Sequence, residues 1–238
     1  MNQEVKILYQ DTNIVIVNKP AGLLVIPDQH TNEKETIVGI LERQLNQKVW
    51  AVHKTDKDVT GILVIAKSLQ SHRNIRMQFE NLQACRKYIA LVSGVLEEDE
   101  GTVNKPILVS GKAASIDITG KESVTNFKVL ERFKSYTLIQ VCPVTRRKHQ
   151  IRIHLWSLGH PLAIDNKYGT SEPIFLSSFK RKYKIKNGEA EKPLITRLTI
   201  HIAFLTLILT ERGNEQNFTA PLPKDFEITL KQLRKYGK

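Results

Sequence analysis

The stretch Ala51–Lys67 (AVHKTDKDVTGILVIAK) sets one carboxylate, Asp56, between the ammonium groups of Lys54 and Lys57, just ahead of an apolar run. Flanking cations favour the ionised form of a carboxyl group, and an ionised carboxylate can act as a nucleophile or a base. Ile62–Ala66 is short, apolar and rich in β-branched residues, the pattern of a strand buried on both faces. Val59, Thr60 and Gly61 supply a tight bend before it. Asp56 therefore falls on a loop at the end of a rigid strand, where reacting groups are commonly presented. The same residues also suit a purely structural part. An Asp just ahead of a turn often accepts hydrogen bonds from the backbone that follows it, and Asp58 is as well placed for this as Asp56. Local composition leaves both readings open.

A second concentration of chemistry is Pro143–Leu155 (PVTRRKHQIRIHL), with Arg146, Arg147 and Lys148 in succession and Arg152 further on. Consecutive cations cannot all be buried, so they must face solvent, phosphate or acids. His149 and His154 have metal-like company but no third ligand set at convincing spacing, so they read as core or hydrogen-bonding histidines and no metal site is expected. A third basic run, Phe179–Lys186, interleaves cations with aromatic residues. It suits a solvated face and an RNA contact equally well.

The totals agree with a polyanionic partner. The 238 residues carry 36 Lys and Arg against 24 Asp and Glu, a formal charge of +12, and nucleic acid is the leading candidate. Cys85 and Cys142 lack metal-ligand spacing and no signal sequence precedes them, which points to a reducing cytoplasm. The longest apolar run, around Ile200–Leu209, is too short to span a bilayer and contains His201, so no membrane partner is expected. The length suits one sizeable core, a single domain over residues 1–238, expected as a monomer.

Several elements must position these groups. Ile14–Val17 reads as a buried strand ending in the turn Asn18–Gly22, where Lys19 can approach a phosphate, the Asp56 loop or solvent. Thr36–Leu45 is a packing helix with Thr36 as its N-cap, and Ser68–Leu82 another, with Ile75, Met77, Phe79 and Leu82 apolar. Ile89–Gly94 is a strand closed by a glycine turn, and Pro106–Val109 fits an edge strand. Ser123–Leu130 and Tyr136–Val144 form a hairpin, Leu198–Leu209 a long buried strand, and a lysine-rich helix ends the chain.

His53–Gly61 (HKTDKDVTG) resembles the H-R-L-D-x-x-T-S-G loop of the RluA-type pseudouridine synthases, matching at His53, Asp56 and Gly61. Asn18–Gly22 resembles their N-K-P-x-G turn, and Arg86–Gly94 their K-x-Y-x-A-x-x-x-G segment, with Tyr88 as the tyrosine. Thr145–Leu155 resembles T-G-R-T-H-Q-I-R-x-H-L, followed by Leu158–Leu162 (LGHPL), a D-x-x-Y-G run at Asp165–Gly169 and an A-P-L-P-x-D-F segment at Ala220–Phe226. The likeness extends from about Ile7 to Phe226 in the family's motif order.

The resemblance implies an α+β catalytic domain with a mixed, mostly antiparallel sheet flanked by helices and loops, and no cofactor. It implies that a uridine in structured ribosomal or transfer RNA is extruded, its glycosidic bond cleaved, and the uracil rejoined through carbon. Asp56 would carry the reaction as nucleophile or base, Tyr88 would pack on the extruded base, and Arg152 would stand against Asp56 and keep it ionised. Lys19, Lys54, Arg146, Arg147 and Lys148 would contact RNA. The departures fall in the functional loops: Lys54 and Thr55 replace R-L, Val59 and Thr60 replace T-S, and Arg146 and Lys148 replace the G and the second T of T-G-R-T-H-Q. Lys54 lacks the planar fork with which the family's arginine enters the base stack, which points to an outlying subgroup with altered RNA preference. The rivals are an RNA-binding protein of the same fold without catalysis, and a carboxylate hydrolase acting on another polyanion.

Overall fold

Short runs of branched apolar residues form the strands, and segments opened by a capping hydroxyl with apolar residues three or four apart form the helices. The structure, a computed structural model, describes residues 4–29, 31–111, 113–181, 183–184, 189–209 and 213–238. In chain order the elements are β1 (Lys6–Gln10), β2 (Ile14–Lys19), α1 (Ile37–Leu45), β3 (Trp50–Ala51), β4 (Thr60–Ala66), α2 (Leu69–Glu80), β5 (Cys85–Ser93), β6 (Glu100–Asn104), β7 (Ile107–Ser110), β8 (Ala113–Ile116), β9 (Val124–Arg132), β10 (Tyr136–Pro143), α3 (Gln150–Ser157), β11 (Ile200–Ile208), β12 (Glu215–Thr219) and α4 (Lys224–Tyr236). The chain divides into two compact units. The first runs to Lys87 and takes up His201–Pro221, and the second comprises Tyr88–Ile200 and Leu222–Lys238.

In the first unit β4 is the central strand, with every residue buried. β2 pairs with it antiparallel, β1 lies outside β2, β3 pairs with the far end of β4, and β12 lies antiparallel outside β11. β11 runs parallel to β4 at its start, His201 beside Thr60 and Ile202 beside Gly61, which makes the pairing mixed. Helix α1 packs Ile37, Ile40 and Leu41 on Val15, Val17, Leu63 and Ile65. Each such side chain, fully buried, contributes about 1.5–3 kcal/mol. The Thr36 hydroxyl accepts the Gly39 amide at 3.2 Å, as the expected N-cap. Helix α2 starts at the Ser68 cap and buries Ile75 and Phe79. Met77 and Leu82, expected on that face, are 55% and 63% exposed. Met77 is two positions from both buried residues and so lies on the opposite side of the helix, and Leu82 lies past its end.

In the second unit β5, β10, β9 and β6 pair in that order, all antiparallel, and β9 and β10 form the expected hairpin. Its core joins Leu91, Leu138, Ala163, Ile164, Ile174 and Ile195 to Phe226, Leu230 and Leu233 of α4. Arg197 fixes the start of α4 through two 2.7 Å hydrogen bonds to Asp225. β7 and β8 form a separate antiparallel pair, and their Ile107 and Ala114 cluster with Ile153 of α3. The fold is thus α+β with a mixed, mostly antiparallel sheet, as expected. Among the described residues no helix is long and apolar enough to cross a membrane.

Candidate active site

The Asp56 loop is held from beneath by a buried lysine. β2 ends in Lys19, which faces Gly61 across the β2–β4 pairing and is 2% exposed. Its Nζ donates to the carbonyls of Lys57 at 2.7 Å, Val59 at 2.9 Å and Pro20 at 3.0 Å. The Gly22 amide also donates to the Lys57 carbonyl at 3.1 Å, and the Val59 amide closes the turn onto the Asp56 carbonyl at 3.2 Å. Of the partners expected for Lys19, a phosphate, the Asp56 loop or solvent, these contacts are with the loop, which the ammonium holds.

The strand behind the loop tolerates only glycine at its entry. Gly61 has φ +107°, and a Cβ there would stand 2.2 Å from the Ile202 carbonyl oxygen. The parallel pairing to β11 depends on this close approach. Next to it the Thr60 hydroxyl lies 2.9 Å from Nδ1 of buried His201, whose Nε2 lies 3.2 Å from the Ala220 carbonyl. A carbonyl can only accept, so Nε2 carries a proton, and in the neutral imidazole Nδ1 accepts from Thr60.

Asp56 is half-buried, whereas Lys54 and Lys57 on either side are exposed. His53 is buried. Its ring meets Phe79 edge-on with centroids 5.2 Å apart, and its Nδ1 lies 3.3 Å from Nη1 of Arg86, whose guanidinium sits 4.8 Å over the Phe79 ring. Arg86 and Phe79 are thus part of the support for the loop's first residue, which the motif alone did not reveal.

In the second unit the run Gln150–Leu155 forms the buried part of α3, and Arg152 points inward with it. A buried guanidinium requires a partner, and Asp165 supplies it through Nε–Oδ2 at 2.7 Å and Nη2–Oδ1 at 2.6 Å. Asp165 also accepts the Lys167 and Tyr168 amides at 2.9 and 3.1 Å. Burial pushes its carboxyl toward the neutral acid, but the hydrogen bonds from Arg152 and the two amides prevail and hold it below the ordinary carboxylate range. The Tyr168 ring lies 5.2 Å from the Arg152 guanidinium, and its hydroxyl is 2.7 Å from His149 Nδ1. His149, at φ +55°, opens the helix in a left-handed conformation.

The cations before the helix are set out by Gln150. Its Oε1 accepts the Arg147 amide at 2.9 Å and the Thr145 hydroxyl at 3.0 Å, while its Nε2 donates to the Val124 carbonyl and the Thr125 hydroxyl. Arg146 and Lys148 are exposed and Arg147 half-buried, and Lys148 Nζ donates to the Gly111 carbonyl at 2.9 Å. His154 is bound at both nitrogens, to the Thr125 hydroxyl and the Lys105 carbonyl, which agrees with its reading as a hydrogen-bonding core histidine. Tyr88 lies on β5 opposite Val141 and is buried.

The family described as RNA pseudouridylate synthase matches residues 13–157, a span that contains β2, the Asp56 loop, Tyr88 and Arg152. The chain belongs to this family. RNA pseudouridylate synthases are isomerases that convert uridine in RNA to pseudouridine, and RNA is accordingly this chain's partner. The chain is 33% identical to an uncharacterized RNA pseudouridine synthase, YlyB, of Bacillus subtilis, over 98% of its own length and 74% of the relative's. It is 35% identical to ribosomal large subunit pseudouridine synthase C of Buchnera aphidicola, over 95% of this chain and 70% of that one. Among solved structures it is similar to human RNA pseudouridylate synthase domain containing 4, with TM-score 0.73 and 25% identity over 96% of this chain and 93% of the other.

Proposed function

We propose that this synthase isomerises specific uridines of structured ribosomal or transfer RNA, with Asp56 as the group that acts on the nucleotide. The observation that carries the assignment of Asp56 is the loop's construction: a buried ammonium joins its backbone to β2, and Gly61 joins it to β4 and β11. Such a loop offers a half-buried carboxylate in a fixed position, which nucleophilic or base chemistry requires. In the reaction the bond from N1 to the ribose breaks and one from C5 forms. The C5 proton leaves, N1 gains a proton, and atoms balance without an oxidant or a co-substrate.

Tyr88 serves this reading as the ring that packs on the extruded uracil, and Arg152 as a further member of the catalytic machinery. The two hydrogen bonds that Arg152 donates to Asp165, with the Tyr168 ring, fix the direction of its guanidinium. Lys54, Arg146, Arg147 and Lys148 contact RNA phosphates in this reading, Lys54, Arg146 and Lys148 being exposed. We take both units as parts of one catalytic domain, acting as a monomer in the cytoplasm and away from membranes. Ribosomal RNA is favoured because relatives are named for the ribosomal large subunit.

Mapping pseudouridine across ribosomal and transfer RNA in cells with and without the gene tests the proposal. One or a few positions should revert to uridine when the gene is absent. An unchanged map would favour a protein that binds RNA without modifying it.

A further inference from the structure

The second unit carries a basic surface that the chemistry above does not use. Phe179 packs into the core cluster that holds Phe226, Leu230 and Leu233, and so docks the basic run beside α4. Backbone hydrogen bonds from Lys180 to the Leu176 carbonyl at 2.9 Å and from Tyr183 to the Lys180 carbonyl at 3.3 Å turn the segment after that anchor. Lys180 Nζ lies 4.8 Å from the Tyr236 ring centroid and 5.5 Å from that of Tyr183, and Lys235 Nζ lies 5.1 Å from Tyr236. Lys182, Ile185 and Lys186 of the same run lie outside the described residues.

These contacts restrain the ammonium groups without neutralising them. Among the described residues no carboxylate pairs with Lys180, Arg181 or Lys235, whereas neighbouring Arg234 is tied up by Glu131. A cation in the last turn of a helix also favours the helix itself, which accounts for Lys235 on α4. It does not account for Lys180, which comes from another segment and converges on the same tyrosine.

We infer that Lys180, Arg181, Tyr183, Lys235 and Tyr236 form a second RNA-binding surface, which holds the backbone of the substrate. Unneutralised cations release counterions when they meet phosphates, and tyrosine rings offer a face to an unpaired base. The inference rests on the functional reading above in taking RNA as the occupant.

The test measures affinity for an in vitro transcribed large-subunit ribosomal RNA as a function of salt. The Lys180→Gln/Lys235→Gln variant should give a log–log slope shallower than the parent's by about 1.4–1.8, the value for two phosphate contacts. Lys180→Arg/Lys235→Arg should keep the parental slope. A parental slope in the glutamine variant overturns the inference. So does an unchanged RNA slope together with lost binding to vesicles of anionic lipid, which would make the surface a membrane contact. Pseudouridine formation by the parent is read in parallel. If the slope shifts as expected while the parent makes no pseudouridine, the surface stands and the catalytic reading falls; if the parent is active and the slope does not shift, only the surface falls.

Discussion

Replacing Asp165 with alanine should unfold the second unit more easily by several kcal/mol, because it strands a buried charge. The side chains of Arg152 and Asp165 are 9% and 1% exposed, and the guanidinium donates twice to the carboxylate. Removing one partner of such a pair costs about 3–5 kcal/mol. The Lys167 and Tyr168 amides lose their acceptor as well, at about 0.5–1.5 kcal/mol each. We therefore expect a loss of about 4 kcal/mol or more for Asp165→Ala, and a smaller one for Arg152→Met/Asp165→Ala, which removes the stranded charge. Urea unfolding can be followed in the second unit through Trp156 on α3, once Trp50 on β3 is changed to phenylalanine. The pair also predicts a pH dependence. Asp165 is held below its ordinary value of 3.8, so its contribution is complete above that value and is lost as pH falls through the lower folded value. Asp165→Asn should lack that acid-dependent part of the parent's stability. A cost under about 1 kcal/mol for Asp165→Ala would refute the role given to the pair.

Three further outcomes are expected. Lys19→Met leaves the Pro20, Lys57 and Val59 carbonyls without their shared donor, so it should cost at least about 2 kcal/mol and lower turnover in the protein that remains folded; parental turnover would show that the Asp56 loop does not need its anchor. Gly61→Ala sets a Cβ against a backbone carbonyl at a positive φ, and should cost more than about 3 kcal/mol by thermal melting or prevent folding. Lys54→Arg should keep or raise activity and Lys54→Ala should weaken RNA engagement, seen as a higher KM; an unchanged KM in Lys54→Ala would leave the position without a role.

Much of this architecture was legible because local patterns and tertiary structure agree. The apolar run at Ile62–Ala66 is a strand buried throughout, and Thr36 caps its helix as its hydroxyl suggests. What escaped depended on partners distant in sequence. For Lys19 a phosphate, the Asp56 loop and solvent all stayed open, because nothing near it in sequence shows that loop carbonyls 38 and 40 residues away enclose it. Asp165 was visible only as a letter in a motif. An arginine amid the apolar residues Ile151, Ile153 and Leu155 does demand a buried carboxylate, and that demand was the available signal. The α3 helix itself was hidden because cations and a histidine precede it, and its buried side is maintained by Gln150 and His154 through hydrogen bonds. Met77 shows the opposite failure: apolar character without attention to the angle around the helix places a residue on the wrong face.

Whether Asp56 acts on uridine is tested by single-turnover pseudouridine formation by Asp56→Asn on an RNA that the parent modifies. Asparagine keeps the shape and most of the hydrogen-bonding capacity of the side chain and removes its charge and nucleophilic oxygen. Asp56→Asn should fold and bind RNA as the parent does while pseudouridine formation falls by several orders of magnitude, and Asp58→Asn should retain most activity. An active Asp56→Asn beside an inactive Asp58→Asn would contradict the role given to Asp56.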